Sequence, residues 1–120
     1  MRRFLVLSSV LAVAVCGTLV ALATASSSVH LAARPHALRF TVKTLHAKAG
    51  TVVVTMSNPA NSDSRHGIAV QGNGLDKDGK IVSPGKTSRL TLHLKKGRYS
   101  FYCPVSGHKA AGMKGVLIVS

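Results

Sequence analysis

Acidic side chains are almost missing from this chain: its 120 residues include three Asp and Glu against 16 Lys and Arg, for a formal net charge of +13. The three are Asp63, Asp76 and Asp78, and there is no glutamate. Hydrolysis by paired carboxylates and an all-oxygen calcium cage therefore lack the groups they need. Aromatics are scarce as well, with three Phe, two Tyr and no Trp. The Lys and Arg are scattered and no RNA-binding motif accompanies them, so the positive charge reads as surface charge, not as a nucleic-acid interface. No segment has a convincing amphipathic helical period, and no internal repeat is visible. Histidines never occur as a His-x-His pair, which argues against a multi-histidine metal cluster.

Cysteine is the next scarcity, with only Cys16 and Cys103. Cys16 falls within residues 1–25, where Arg2 and Arg3 precede an apolar run over residues 4–23 and Ala23-Thr24-Ala25 offers a small-residue cleavage site. This pattern predicts an export signal. The apolar run is also long enough to remain as a membrane anchor. An extracytoplasmic location follows in either case: periplasmic, cell-surface or secreted, with membrane contact only if residues 4–23 are retained. Loss of Arg2 and Arg3 with the leader would bring the formal charge from +13 to +11. Cys103 would then be the one remaining thiol in a compartment where disulfides are the norm, so its role must be sought in other chemistry.

Residues 26–37 are rich in Ser, Ala and His and contain Arg34-Pro35, which predicts a flexible tether. From Leu38 onward the apolar period is two. Leu38, Phe40 and Val42 alternate with polar residues, as do Val52, Val54 and Met56. Further strands are expected over residues 66–71, 80–82, 87–94, 98–103 and 114–119, separated by turn signals such as Asn58-Pro59, Gly72-Asn73-Gly74, Asp78-Gly79 and Pro84-Gly85. About seven short strands at this spacing predict a single all-β domain over residues 38–120, a two-layer sandwich or small barrel. Phe40, Val54, Ile68, Leu92, Phe101 and Ile118 are its expected core, and Met56 reads as core as well.

Chemistry concentrates near the C-terminus. Cys103 closes a strand, His108 follows after four residues, Met113 after four more, and the next strand begins at once. A loop so bounded must turn back, which brings thiolate, imidazole and thioether towards one point. Sulfur with imidazole suits copper or zinc, and two His, one Cys and a weak axial Met make the trigonal blue-copper set. His66 is the candidate for the second imidazole, because it starts a strand after the loop over residues 58–65. His30, His36, His46 and His93 lack partners at ligand spacing.

With His66, Cys103, His108 and Met113 in this order, the sequence resembles the cupredoxin (blue copper) superfamily of plastocyanin and azurin. The resemblance covers roughly residues 38–120. Its Cys-x4-His-x4-Met spacing is similar to that of rusticyanin and auracyanin. The resemblance implies a Greek-key β-sandwich of seven or eight strands, one type 1 copper ion cycling between Cu(II) and Cu(I), and outer-sphere electron transfer with no catalytic residue. It also implies an electron port at the loop around His108. Many relatives carry Asn or Ser after the first His, where this chain has Gly67. The backbone N–H groups of Gly67 and Val105 remain available to the thiolate, whereas Pro104 has none to give.

The expected protein is thus a monomeric carrier, not an enzyme, that shuttles single electrons between extracytoplasmic redox proteins. Its charge predicts partners with acidic docking surfaces, with Lys109 and Lys114 flanking the port. A copper-binding or copper-delivery protein of the same fold is the alternative, and an adhesion or structural sandwich is a third reading.

Overall fold

The computed structural model describes residues 12–19 and 26–120. Most of the expected export signal or anchor lies outside the described residues, and residues 12–19 within it carry neither helix nor strand. Among the described residues no helix is long and apolar enough to cross a membrane.

Eight strands build two sheets: β1 (Ser26–Ala32), β2 (Thr44–Ala47), β3 (Gly50–Ser57), β4 (Ala69–Gly72), β5 (Leu75–Asp78), β6 (Thr87–Leu94), β7 (Gly97–Tyr102) and β8 (Lys114–Val119). One sheet runs β1-β3-β6 and the other β2-β8-β7-β4-β5. β6 shows the period most plainly. Ser88, Leu90, Leu92 and Leu94 are buried while Thr87, Arg89, Thr91 and His93 are exposed, as a sheet with one wet face requires. Val52, Val54 and Met56 of β3 turn to the same interior, where they share a core with Phe40, Ile68, Phe101 and Leu117. Phe40 and Phe101 meet with ring centroids 5.6 Å apart.

Five expectations are corrected by the strands. The tether expected over residues 26–37 gives way to β1, which pairs in parallel with β3, Val29 opposite Val54 and Leu31 opposite Met56. Only two apolar side chains of this serine-rich run face the core, so its period was too short to stand out, and its ladder is supplied by β3. The strand expected from Leu38 is an irregular connection in which Phe40 alone bridges to Ala33, and regular pairing begins at Thr44. His66 likewise forms a single bridge, to Val82, which is all that remains of the strand expected over residues 80–82. β4 begins three residues later than expected.

β5 was not foreseen, because Leu-Asp-Lys-Asp has low strand propensity. It exists as the return arm of a two-residue hairpin: Gly72 pairs with Leu75, and Asn73 and Gly74 both have positive φ, 51° and 81°, the turn that Asn-Gly favours. Finally, Ile118 faces outward between His46 and Arg98, and Leu117 and Val119 are buried in its place. The unbroken run Val116-Leu117-Ile118-Val119 has no alternation from which to read a face, so pairing with β2 and β7 decides it.

Candidate metal centre

Two loops and one strand end make the site. Asn58 is buried, and its Nδ2 donates to the carbonyls of Ser64 and Val82 at 2.9 and 3.0 Å, which fixes the loop leading to His66. The His66 N–H donates to the Val82 carbonyl at 3.1 Å and receives the Val82 N–H at 2.7 Å on its own carbonyl. His66 is thereby locked into the fold with its ring 1% exposed.

The second loop is closed by its own backbone. The Cys103 N–H donates to the Met113 carbonyl, the Met113 N–H to His108, and the His108 N–H to Val105, each at 3.0 Å. Gly107 and Gly112 have φ of 84° and 109°, a left-handed conformation that glycine takes without strain. These two positions allow the chain to reverse between β7 and β8. Cys103 and Met113 point inward and are buried, and His108 is half-exposed.

The donors converge. Cys103 Sγ lies 3.5 Å from His108 Nδ1 and 3.8 Å from His66 Nδ1, and the three ligand atoms all lie within 4.8 Å of one another. The two imidazole rings are 5.1 Å apart between centroids. Met113 is placed at the same end of the sandwich by its bonds to Cys103 and His108. All four residues singled out in the sequence therefore gather at one end. His30, His46 and His93 lie elsewhere on exposed strand positions, and His36 pairs with Asp63 at 3.0 Å.

Burial disfavours uncompensated charge at the site. Burial pushes the Cys103 thiol up, and N–H donation from Gly67 and Val105 pulls it part of the way back. Both donors were anticipated from the sequence. Burial, and then the neighbouring His108, hold His66 below the usual imidazole range, so its ring is neutral and has a lone pair to offer. No carboxylate belongs to the cluster. Apart from the Gly67 and Val105 N–H groups, a thiolate here faces two imidazole nitrogens, and this donor set fits a thiophilic ion.

Gly67 explains its own departure from the Asn or Ser expected of relatives. A Cβ there would lie 3.0 Å from the Lys80 carbonyl oxygen and 3.2 Å from Pro104 Cγ. The Pro104 ring fills the place of a bracing side chain.

One expected feature differs. Lys109 does not stand free beside the port: its Nζ donates to Gln71 Oε1 at 3.1 Å and sits 4.1 Å from the Tyr102 ring centroid. Tyr102 Oη in turn donates to Asp76 at 2.8 Å and Asp78 at 3.3 Å, and its ionisation is pushed far up, first by burial and then by Asp76. These contacts tie the ligand loop to β4 and β5. Neither this network nor the role of Asn58 was read from the sequence, where only the Asn58-Pro59 turn marked the region.

Residues 26–120 match the family described as copper binding proteins, plastocyanin/azurin family. No curated protein matches the chain. Among solved structures it is similar to auracyanin B, at 22% identity and a TM-score of 0.71, over 84% of this chain and 93% of that one. It is also similar to dithionite-reduced auracyanin from the photosynthetic bacterium Roseiflexus castenholzii, at 21% identity and a TM-score of 0.69, over 82% and 99%. Copper nitrite reductase from Nitrosomonas europaea matches at 26% identity and a TM-score of 0.60, over 82% of this chain and 42% of the enzyme. The cupredoxin sandwich is thus the fold, and a single type 1 copper ion is the cofactor that the family and the donor set share.

Proposed function

Because this chain belongs to the plastocyanin/azurin family of copper-binding proteins, we propose that it is a one-electron carrier whose copper is held by His66, Cys103, His108 and Met113. The observation that carries this reading is the meeting of His66, Cys103 and His108 ligand atoms within 4.8 Å, with Met113 buried and bonded through its backbone to Cys103 and His108. Copper supplies the one-electron change between Cu(II) and Cu(I) when bound.

The protein's own part is to hold the ligands still. Cys103 would be the strong anionic donor, His66 and His108 would supply two neutral imidazoles, and Met113 would be the weak thioether ligand that adjusts the potential. Backbone bonds closing the Cys103–Met113 loop and the bridge at His66 keep these groups in one arrangement, so little reorganisation accompanies electron gain or loss. Gly67 and Val105 N–H groups stabilise negative charge on sulfur, which sets how strongly it donates.

His108 is the half-exposed ligand, in a loop whose Gly107, Ala110 and Ala111 are exposed and small. A flat apolar port of this kind suits the brief contacts of redox partners. Partners with acidic surfaces fit the excess of Lys and Arg. We place the protein outside the cytoplasm as a monomer, released or anchored through residues 1–25. The part of the nitrite reductase that it matches is under half of that enzyme, whereas it matches 93% of auracyanin B, which supports the carrier reading.

Addition of Cu(II) to the purified protein tests the reading. An intense visible band from thiolate-to-copper charge transfer is expected, and Cys103→Ser abolishes it. A reversible voltammetric wave marks a carrier. Copper that exchanges freely with a chelator and gives no such wave would transfer the assignment to copper delivery.

A further inference from the structure

The four cations Arg34, Arg39, Lys43 and Lys114 line one cleft of about 70 Å³, whose other walls include Phe40 and Gly112. No acid lines it. The chain has only three acids to offer, and all are engaged elsewhere: Asp63 with His36, Asp76 and Asp78 with Tyr102. Four like charges around one concavity repel one another, and the cost is relieved when an anion enters.

The frame beneath these side chains is firmly built. Arg34 and Arg39 are clamped together by the Arg34 N–H donating to the Arg39 carbonyl at 2.9 Å, inside the Ala33 and Phe40 bridge. The Val116 N–H donates to the Lys43 carbonyl at 2.9 Å, which holds Lys43 against the start of β8, where Lys114 stands. Gly115 makes this approach possible, since a Cβ there would overlap Phe101 and the Lys43 carbonyl. Arg34, Arg39, Lys43 and Lys114 are all exposed and rise from a fixed backbone, so two guanidinium forks and two ammonium groups can be drawn to the several oxygens of one anion. A cleft of this size exceeds what a single water needs and suits a small oxyanion group better than an extended chain.

We propose that this cleft is a binding site for a phosphate-type oxyanion, held by Arg34, Arg39, Lys43 and Lys114. The oxyanion is either free phosphate or the phosphate of a lipid headgroup. The inference rests on the cation cluster and is independent of the metal reading.

The test is titration of the full chain with inorganic phosphate at constant ionic strength, followed by backbone amide NMR. Saturable shifts at Thr41, Gly112 and Lys114 are expected. Arg34→Ala with Arg39→Ala should weaken binding at least about tenfold, the loss expected from removing charge-assisted hydrogen bonds. Lys95→Ala with Lys96→Ala, next to the far end of β7, should leave it unchanged, and a circular dichroism spectrum identical to the parent's shows that each variant is folded. Shifts that grow without saturating, that chloride reproduces, or that survive loss of both arginines would overturn the site. Anionic phospholipid vesicles then identify the source: vesicles that displace phosphate point to a headgroup, and vesicles that do not point to the free ion, the site standing in both cases.

Discussion

At the residue scale, the site is governed by what burial does to two titratable groups and one glycine. His66 is buried with its ionisation lowered, so between its folded value and the ordinary imidazole value of about 6.5 the unfolded chain binds the extra proton. Stability of the metal-free protein therefore falls as pH drops through and below that ordinary value. Cys103 is shifted the opposite way, upward, so the folded chain keeps a proton that the unfolded chain has released above the ordinary thiol value of about 8.5, and stability falls again as pH rises past it. Urea unfolding at acid, neutral and alkaline pH should give a maximum between the two. Cys103→Ser should remove the part of the alkaline fall that begins near the thiol value and leave the acid one, while Tyr102, also shifted upward, still lowers stability above its ordinary value of about 10. Metal uptake must expel the thiol proton, so affinity should rise with pH, by about tenfold per unit for one proton released. Gly67→Ala brings a methyl against Pro104 and the Lys80 carbonyl. Thermal unfolding should show a loss of about 1–3 kcal/mol, the usual cost of overpacking.

Among the elements, β1 is the informative one. As a tether its amides would exchange with solvent at once, whereas as a strand paired to β3 they exchange only when the sheet opens. Hydrogen exchange should find protection at alternate amides within residues 27–32, those turned towards β3. Leu31 is 6% exposed opposite Met56, and Leu31→Ala should cost about 2–5 kcal/mol in denaturant unfolding. A loss below 0.5 kcal/mol, the range of ordinary surface substitutions, would return this segment to the tether reading. β7 and β8 matter for a different reason. They are adjacent and antiparallel, with Tyr102 opposite Lys114, so the ends of the ligand loop are pinned side by side and the loop has no slack with which to separate Cys103 from Met113.

At the scale of the whole molecule, charge is the dominant feature, with 16 basic against three acidic side chains. Encounters with an acidic redox protein should slow as salt rises, because the attraction between exposed charges is screened beyond about 10 Å at 0.1 M. Stopped-flow electron transfer across a salt series checks this, and rates that ignore ionic strength would remove electrostatic steering from the account. Lys109 is held in place by Gln71 and the Tyr102 ring, neither of which cancels its charge, so it still adds to that attraction. Lys109→Ala should make the salt slope shallower.

The class of fold and the four converging residues were legible in the linear chain because both depend on short-range pattern. Period-two alternation in β3 and β6 announces half-buried strands, and Cys103, His108 and Met113 share one loop between β7 and β8, so their meeting needs no knowledge of distant contacts. His66 could be placed from its position at a strand mouth, but its contact with Cys103 across 37 residues is made by the pairing of β4 with β7. What pairing alone decides could not be read: that Ser26–Ala32 becomes a strand, that Leu75–Asp78 becomes one despite its charges, and that Ile118 faces out while Leu117 faces in. Local sequence sets which side chains prefer an interior and which donors prefer a soft metal. Only the assembled sheets choose partners, because a ladder hydrogen bond and a filled core depend on residues that the segment itself does not contain.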